Sequence, residues 1–360
     1  MKVLQIIDSL DPGGAERMAV NYANLLYKNN FDSHICVTRK EGLLKDRIAL
    51  GVFYIFLDKK STFDIKAILN LRNYIKEHKI DILHAHGTSY FLATFIKISY
   101  PSVKLIWHDH YGNSEFLNER KSTILKYCSK HFDGVISVNA KLKIWSLQFL
   151  HCKKVIKVNN FINANSENSM GIIIKGDPSA FKIICVANLR PQKDHINLLN
   201  AFEILVSNYN MSLHLIGNDP QTTYSKKIID KINNPSFKDK IFYYGSQKNV
   251  IDYLENCDLG VLSSISEGLP LAILEYGISG IAVVTTNVGQ CEELINGNGK
   301  LVSPKQPKML ADEILFYYKN KQERIFDAKK LNLHVLSNYS EECVAKEIIG
   351  FYSEVINDHN

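Results

Sequence analysis

The strongest constraint on the fold is a regular alternation of strand-length apolar runs with amphipathic helical stretches. In the first half, helical stretches such as GAERMAVNYANLLYKN fall between the runs KVLQIID, SHICVTR, DILHAH, KLIWHD, GVISVN and KVIKVNN. Strands that alternate with helices in this way build a parallel sheet covered by helices on both faces. The sequence therefore predicts an α/β fold with doubly wound parallel sheets.

The alternation stops once and then restarts. NFINANSENSMGIIIKGDPSA, from Asn160 to Ala180, is rich in Asn, Ser and Gly and is typical of a linker. Six further strand patterns follow it: FKIICVANL, MSLHLIG, KIFYYGS, LGVLSS, GIAVVTT and GKLVSP. We predict two Rossmann-like domains, 1–165 and 166–340, and a final helix in 341–360. The cleft between two such domains is the expected ligand site.

Composition narrows the class of protein. No run approaches the roughly 18 apolar residues of a membrane span, and MKVLQIIDSL enters a strand pattern without a signal-peptide cleavage site. The seven cysteines form no C-x-x-C pair, which gives a zinc ribbon no support and predicts reduced thiols in the cytosol.

Charge is unevenly spread. Up to Asn165 there are 24 Lys and Arg against 14 Asp and Glu, whereas the remainder has 19 against 23. A basic first half could face nucleic acid, an anionic membrane or a phosphorylated ligand. A solvated lysine-rich surface is the alternative.

Glycines and basic residues follow the first strand pattern of each domain. In DPGGAER, Gly13 and Gly14 open a helix, where the backbone can approach an anionic ligand closely, although the spacing is not a dinucleotide fingerprint. In VANLRPQKDHINLL, Arg190 and Lys193 leave a strand tip together, an arrangement that suits a diphosphate. The alternative for the glycine pair is an ordinary turn, and the alternative for Arg190 and Lys193 is a solvated loop.

Two H-x-H motifs end neighbouring strand patterns. His84 and His86 end DILHAH, and His108 and His110 end KLIWHDH. Because alternate strand residues share a face, each pair could converge at its strand tip. Zinc is one interpretation, but no cysteine or spaced acid completes a site. Another places one histidine of each pair in the core and the other in a loop cap. We favour a histidine that lines the cleft in hydrogen-bonding or acid–base chemistry.

The stretch SEGLPLAILEYG places two acids around the start of a predicted helix. Glu267 precedes Pro270, which is favoured at the first helical position, and Glu275 lies two turns further on. Backbone N–H groups near Gly268 and Leu269 and the helix dipole favour a phosphate there. Acids on both sides of a diphosphate could accept hydrogen bonds from the hydroxyls of a nucleotide sugar. The alternative is that Glu267 is an ordinary loop acid and Glu275 an acid on the surface of the helix.

Taken together, these segments resemble the retaining glycosyltransferases of family 4. GGAER, HAHG, WHDHYG, GVISVN, RPQKDH and the E-x7-E stretch EGLPLAILE occur in the order expected for that family, and NVGQCEELI resembles the segment that follows. The resemblance covers nearly the whole chain. It implies the GT-B fold of two facing Rossmann-like domains, with the final helix packing back on the first.

The resemblance also implies roles for the acids of the second domain. Glu275 would bind the ribose hydroxyls and Glu267 the transferred sugar. The backbone around Gly268 and Leu269 would hold the diphosphate, and Lys193 would neutralise it.

In the first domain, Gly13 and Gly14 would approach the phosphates, and His108 would line the cleft near the sugar. His86 and His110 are candidates on the acceptor side, and His110 is close enough to His108 to match the same family position.

One position departs from the family pattern. The family arginine, five residues before the lysine, corresponds to Asn188, so Arg190 would have to replace it. Pro270 and Gly245, which closes the pattern KIFYYGS, complete the donor side. The predicted catalytic group is then Glu267, His108, Lys193 and Arg190.

The implied reaction is hexose transfer from a nucleotide sugar, with UDP favoured, to a glycan or lipid-linked acceptor in bacterial capsule or O-antigen synthesis. It needs no cofactor or metal. Lys193, Arg190 and the helix N-terminus would stabilise the leaving diphosphate. We expect a cytoplasmic protein that can rest on the inner membrane face. The stretch KLKIWSLQFLHCKK could lie on an anionic bilayer or pack on the first sheet.

Three other functions stay open. A nucleotide-sugar epimerase of the same fold would release free sugar without an acceptor. A non-catalytic glycosyltransferase-like partner protein would keep the fold without turnover, and Asn188 is the feature that keeps this reading open. A nucleic-acid binder is the weakest, because the basic residues are not interleaved with aromatics at the spacing of a known module.

Overall fold

The structure, a computed structural model, describes residues 1–162 and 171–358. Part of the predicted linker, and the predicted boundary at 165 and 166, lie outside the described residues. The chain divides into two compact units. The first contains Met1–Phe161 and the C-terminal segment that begins at Glu341, and the second contains Ile162–Ser340.

Within the described residues, the first unit is built on a seven-stranded parallel sheet with the order β3-β2-β1-β4-β5-β6-β7. Its strands are β1 (Lys2–Ser9), β2 (Asp32–Lys40), β3 (Phe53–Phe56), β4 (Ile82–His86), β5 (Lys104–Asp109), β6 (Gly134–Ser137) and β7 (Val155–Lys157). Strand β3, a four-residue edge strand whose Phe53 is half exposed, was not predicted from the sequence.

Helices connect these strands: α1 (Gly14–Lys28), α2 (Ile65–His78), α3 (Tyr90–Ser99), α4 (Thr123–Cys128) and α5 (Ala140–Phe149). The alternation of side chains along β1 feeds two hydrophobic clusters. Leu4 and Ile6 belong to one cluster, whereas Ile7 belongs to the other, with Ala19 and Val20 of α1. Both faces of the sheet are therefore buried, as the continuous apolar strand patterns predict.

The second unit has a six-stranded parallel sheet within the described residues, with the order β10-β9-β8-β11-β12-β13. Its strands are β8 (Phe181–Val186), β9 (Met211–Ile216), β10 (Ile241–Tyr243), β11 (Leu259–Leu262), β12 (Ala282–Thr286) and β13 (Lys300–Val302). Its helices are α6 (His195–Val206), α7 (Thr223–Ile232), α8 (Ile251–Leu254), α9 (Leu271–Ile278), α10 (Cys291–Ile295), α11 (Pro307–Lys319) and α12 (Lys321–Asn338).

The last helix, α13 (Glu341–Asn357), belongs to the first unit. It packs on β6, where Gly134 leaves room for it. A Cβ at Gly134 would lie 2.7 Å from the ring of Phe351 and 3.3 Å from Val355. No helix among the described residues is long and apolar enough to span a membrane.

Both sheets reverse their strand order once. The reversal falls between β1 and β4 in the first unit and between β8 and β11 in the second. At such a switch point the loops that follow the two strands diverge, and ligands of open α/β sheets bind in the crevice that this leaves at the carboxyl ends of the strands.

Tyr276 closes the gap that opens between β8 and β11. The two strands pair at only two positions. Beyond them, the Tyr276 hydroxyl accepts the N–H of Val186 at 2.8 Å and donates to the carbonyl of Val261 at 3.3 Å. Gly260 makes room for the ring, because a Cβ there would lie 2.6 Å from it. Tyr276 therefore links β8 and β11 beyond their last paired residues.

Replacing Tyr276 by Phe should lower the free energy of unfolding by about 0.5–1.5 kcal/mol, because the partly buried Val186 N–H loses its hydrogen-bond partner. Urea denaturation followed by circular dichroism measures this. Tyr318→Phe is the matched control, because no hydrogen bond of the Tyr318 hydroxyl is found among the described residues. Equal losses in both variants would contradict the role given to the Tyr276 hydroxyl.

Candidate functional site

The second unit brings Lys193 and Glu267 together. Lys193 follows β8 and Glu267 follows β11, the two strands of the switch point. Lys193 Nζ lies 2.5 Å from Glu267 Oε1, and Ser264 Oγ donates to the same oxygen at 2.6 Å. Glu267 is only 4% exposed. An ammonium group has three donors, so Lys193 can hold Glu267 and a phosphate oxygen at once.

Further hydrogen bonds tie the two loops to each other. Ser263 Oγ donates to the carbonyls of Lys193 at 3.1 Å and Asp194 at 3.0 Å. The N–H of Ile265 donates to the carbonyl of Gln192 at 2.8 Å. The ion pair therefore sits between two loops whose backbones are already fixed, which limits the reorganisation needed when a ligand binds.

Helix α9 begins one residue later than predicted. Pro270 is its N-cap residue, with extended backbone, and Leu271 is the first helical residue. Proline fits this place because the cap needs no N–H donor of its own. The loop before it is closely covered. Gly289, at a φ of 57°, lies so near that a Cβ would be 2.3 Å from the carbonyl oxygen of Glu267.

The residues assigned to the donor side on this segment are buried. Gly268, Leu269 and Pro270 all have little exposed surface. Glu275 is 7% exposed and lies four residues after the start of α9, about 6 Å along its axis. The interpretation of Glu275 as a surface helix acid is therefore wrong. Its binding of ribose hydroxyls stays a prediction.

Arg190 and Asn188 have different surroundings. The side chain of Arg190 is exposed, with no hydrogen bond or ion pair among the described residues. The side-chain oxygen of Asn188 accepts the N–H of Asn218 at 2.8 Å. Asn188 thus links the loops that follow β8 and β9 instead of presenting a charge. The proposed replacement of the family arginine by Arg190 stays a prediction.

Gly245 lies beyond β10 in the same unit. Its φ is 66°, a conformation that favours glycine, and its carbonyl accepts the N–H of Gly217 at 2.9 Å. A Cβ at Gly245 would meet no atom within 4 Å. Backbone conformation, rather than packing, therefore calls for glycine here.

The first unit brings four histidines together at the ends of β4 and β5. The ring centroids of His84 and His86 are 4.3 Å apart, and those of His108 and His110 are 4.0 Å apart. His84 Nε2 lies 3.1 Å from His108 Nδ1, and His86 Nδ1 lies 2.9 Å from His110 Nε2. The members of each H-x-H pair converge as predicted. All four join one cluster. In the first pair both histidines are fully buried on β4, so the division into a core histidine and a loop cap is wrong there.

Hydrogen bonds set the tautomers of this histidine cluster. His86 Nε2 donates to Gln5 Oε1 at 2.7 Å, so the neutral ring accepts the N–H of His110. The Tyr352 hydroxyl lies 2.6 Å from His84 Nδ1. The neutral His84 ring has one N–H, so it accepts one of its two hydrogen bonds and donates the other. If the Tyr352 hydroxyl donates to His84, then His84 donates to His108 Nδ1, and the proton of His108 is on Nε2. If the hydroxyl accepts from His84, then His108 Nδ1 donates and Nε2 carries no proton.

Burial lowers the pKa of His84, His86 and His108 well below the usual value, and that of His110 to about 3. The four imidazoles are therefore neutral near pH 7. His108 Nε2 is buried and has no hydrogen-bond partner among the described residues. Because the His108 ring is 0% exposed, its predicted contact with a sugar stays a prediction.

The spacing of the cluster also bears on metal binding. Ring nitrogens of His84, His86 and His108 lie within 4.8 Å of one another. The rings of His84 and His108, however, are inclined by only 7°, and one nitrogen points at the other. That is the geometry of a hydrogen bond between imidazoles, whereas shared ligands would aim at a common point. The arrangement is explained without a metal.

Gly13 and Gly14 stand where α1 begins. Gly13 is the N-cap residue with extended backbone, and Gly14 is the first helical residue. A Cβ at Gly14 would meet nothing within 4 Å, and one at Gly13 would meet the flexible end of Glu16. Neither glycine is required by the fold. Their predicted role in admitting phosphates remains open.

The stretch from Lys141 forms α5. Trp145 is buried, whereas Leu147 and Phe149 are exposed. Trp145 packs against the guanidinium of Arg120, 4.2 Å from the ring centroid, and Arg120 forms a bidentate ion pair with Asp109 at 2.7 and 2.8 Å. Trp145 therefore belongs to the packing of the first unit and is not available to a bilayer.

Around the Lys193–Glu267 ion pair and the histidine cluster, Gln5, Ser264 and Tyr352 were not predicted from the sequence. Ser264 stands three residues before Glu267, so its spacing could have suggested a contact. Tyr352 meets His84 across 268 positions of sequence. No local sequence pattern can predict a contact between residues so far apart in the chain.

Two Rossmann-like units, each with polar residues around its switch point, are typical of the GT-B class of glycosyltransferases. The family model "Glycosyltransferase Family 4" matches residues 12–165, and the model "Glycosyl transferases group 1" matches residues 174–330. Together they span most of the chain. The chain belongs to the family 4 glycosyltransferases and is a transferase enzyme.

Similar proteins support this assignment. The chain is 27% identical over 305 residues to the capsular polysaccharide biosynthesis glycosyltransferase CapH of Staphylococcus aureus, covering 82% of this chain and 83% of CapH. It is 24% identical over 364 residues to the UDP-Gal:alpha-D-GlcNAc-diphosphoundecaprenol alpha-1,3-galactosyltransferase of Escherichia coli, covering 94% and 90%. The solved structure of Anabaena HepE in complex with UDP-glucose shares the fold, with a TM-score of 0.80, 17% identity, and 98% and 100% of the two chains covered.

Proposed function

We propose that this chain is a retaining hexosyltransferase. It uses a UDP-sugar as donor and a lipid-linked glycan as acceptor, in the assembly of a bacterial surface polysaccharide. The observation that carries the proposal is the Lys193–Glu267 ion pair at the switch point of the second unit. In this pair Lys193 can bind the departing diphosphate, and Glu267 beside it can accept hydrogen bonds from sugar hydroxyls.

The chemistry follows from where charge develops. As the glycosidic bond breaks, the diphosphate gains negative charge, and Lys193 and the N-terminus of α9 stabilise it. The acceptor hydroxyl attacks from the same face, and the leaving phosphate takes its proton, so the anomeric configuration is retained. Glu275 binds the ribose, and Glu267 holds the hexose. The reaction needs no metal.

The acceptor is proposed from the relatives and from charge. The galactosyltransferase of Escherichia coli acts on a sugar linked to diphosphoundecaprenol, and CapH belongs to capsule synthesis. The basic first half of the present chain suits a phosphorylated, membrane-held acceptor. The enzyme therefore works at the cytoplasmic face of the inner membrane.

A thermal-shift panel of UDP, GDP and their sugars tests the donor. A nucleotide at 100 times its Kd should stabilise the fold by about 2.7 kcal/mol. Glu275→Ala should weaken UDP binding at least tenfold, because a hydrogen bond to a charged group is worth roughly 1.5–3 kcal/mol. Glu255→Ala, an exposed acid of the same unit, is the control. Undiminished UDP binding by Glu275→Ala would remove the ribose assignment.

Product analysis separates the proposal from its alternatives. UDP-hexose and a lipid-diphosphate-linked sugar should give an extended glycan whose anomeric configuration, read by NMR, matches that of the donor. Free sugar formed without acceptor would identify an epimerase. Nucleotide binding without transfer, unchanged by Glu267→Ala, would identify a non-catalytic partner protein.

A further inference from the structure

A cavity of about 310 Å³ opens at the switch point of the first unit. Asp8 at the end of β1, Arg39 at the end of β2, Lys59 beyond β3 and Thr88 beyond β4 line it. Small-molecule sites range over about 300–1,000 Å³, and those of open α/β sheets lie at this position. None of the residues singled out from the sequence lines this cavity.

Lys59 is the first sign of a ligand. Its residue surface is only 6% exposed, yet no hydrogen bond or ion pair of its ammonium group is found among the described residues. Burial, and then the charge of Arg39, lower the pKa of Lys59, while Asp8 and Asp64 oppose the shift from a distance. Lys59 Nζ is not among the enclosed polar atoms of the described residues, so the ammonium group is accessible from the cavity and can bind an anion that enters it.

The one carboxylate of the cavity wall is already engaged. Asp8 accepts hydrogen bonds from the hydroxyls of Thr38 and Thr88, each at 2.5 Å. Arg39 Nε stays 3.9 Å from Asp8, beyond hydrogen-bonding distance, and its side chain is 41% exposed. Two cations therefore face one carboxylate that is held by hydroxyls, and the wall keeps a net positive charge.

The cavity also has an apolar wall. Phe91, Leu92 and Ile124 line it. The ring of Phe91 lies 5.8 Å from that of Phe63 between centroids, and Phe63 is 66% exposed. Ile124 is 59% exposed. The apolar wall thus continues onto an apolar surface that faces solvent, so one ligand can contact both the cations and this surface.

We infer that this cavity binds the diphosphate of a lipid-linked acceptor, with its hydrocarbon chain on the surface formed by Phe63, Phe91 and Ile124. The inference rests on the proposed function and names the site for its acceptor. Arginine and lysine suit phosphate oxygens, and aromatic side chains suit the first isoprene units. A plain anionic bilayer would instead use exposed lysines such as Lys66, because Lys59 is buried.

Binding of farnesyl diphosphate, a short lipid diphosphate, tests the site by calorimetry. Saturating UDP is present throughout, so that the probe cannot enter the donor site. We expect Lys59→Gln and Arg39→Gln each to weaken binding at least tenfold, and Lys59→Arg to restore most of it. Lys66→Gln, an exposed lysine on the nearby α2, should bind like the wild type.

Further probes distinguish binding of the diphosphate from binding of the hydrocarbon chain. Phe63→Ser should weaken farnesyl diphosphate binding about fivefold or more and leave inorganic pyrophosphate binding unchanged. Vesicles of phosphatidylglycerol test the membrane alternative. The inference is overturned if Lys59→Gln binds farnesyl diphosphate like the wild type, or if Lys66→Gln weakens binding equally. Unchanged UDP affinity in every variant shows that the fold and the donor site are intact, so this failure is distinct from failure of the proposed function.

Discussion

Lys193→Gln should lower kcat by about 10²–10³, with a smaller effect on the KM for the donor, because a group that stabilises developing charge acts mainly in the transition state. The same change leaves Glu267 buried without its cation. Breaking a buried pair from one side costs roughly 3–5 kcal/mol of folding stability. Steady-state kinetics and urea denaturation on one preparation measure both effects.

A double variant separates the two contributions. Lys193→Gln with Glu267→Gln removes both charges, so most of the stability should return while the activity stays low. Lys226→Gln, an exposed lysine on α7, is the control for charge removal in the same unit. If the double variant regained activity together with stability, Lys193 would be a structural residue and the leaving-group assignment would fall.

Acid should unfold this protein at a mild pH. Burial lowers the pKa of His110 to about 3 and those of His195 and His214 to about 4, and it lowers the pKa of the other three clustered histidines as well. The unfolded chain binds protons near pH 6.5 and the folded chain does not, so stability falls as pH drops from 6.5 toward 4. Each such histidine removes about 2 kcal/mol between pH 7.5 and 5.

Three such histidines would remove about 6 kcal/mol, as much as the whole stability of many domains. Urea midpoints at pH 7.5, 6.5, 5.5 and 5 measure the effect. His195→Gln should reduce the slope by up to about 1.4 kcal/mol per pH unit in the second unit. His151→Gln, a change at an exposed histidine, is the control for the substitution itself. A flat profile from pH 7.5 to 5 would contradict the burial of neutral rings.

The order of strands and helices was largely predictable because parallel strands buried on both faces carry continuous apolar runs. Every strand predicted from such a run is present, whereas the short edge strand β3 was not predicted, although it lies within the continuous apolar run VFYIFL. Pro270 was predicted one residue out of place, because a proline is compatible with both the cap and the first helical position.

The polar arrangements were predictable only in part. Sequence patterns indicated Lys193 and Glu267 separately, since each follows a strand, but their ion pair joins positions 74 residues apart. The four histidines were found from their spacing, whereas Tyr352 and Gln5 were not, because each reaches the cluster from a distant element. Lys59 carried no signal at all, because burial of a lysine is decided by tertiary packing.

Helix α13 makes the first unit discontinuous in sequence, because residues after Glu341 complete a body that begins at Met1. During synthesis, the ribosome delivers the whole second unit before Phe351 can cover Gly134 of β6. Part of the sheet of the first unit therefore stays uncovered while the second unit is synthesised. We therefore expect the first unit to complete its packing only after the C-terminal helix has been synthesised.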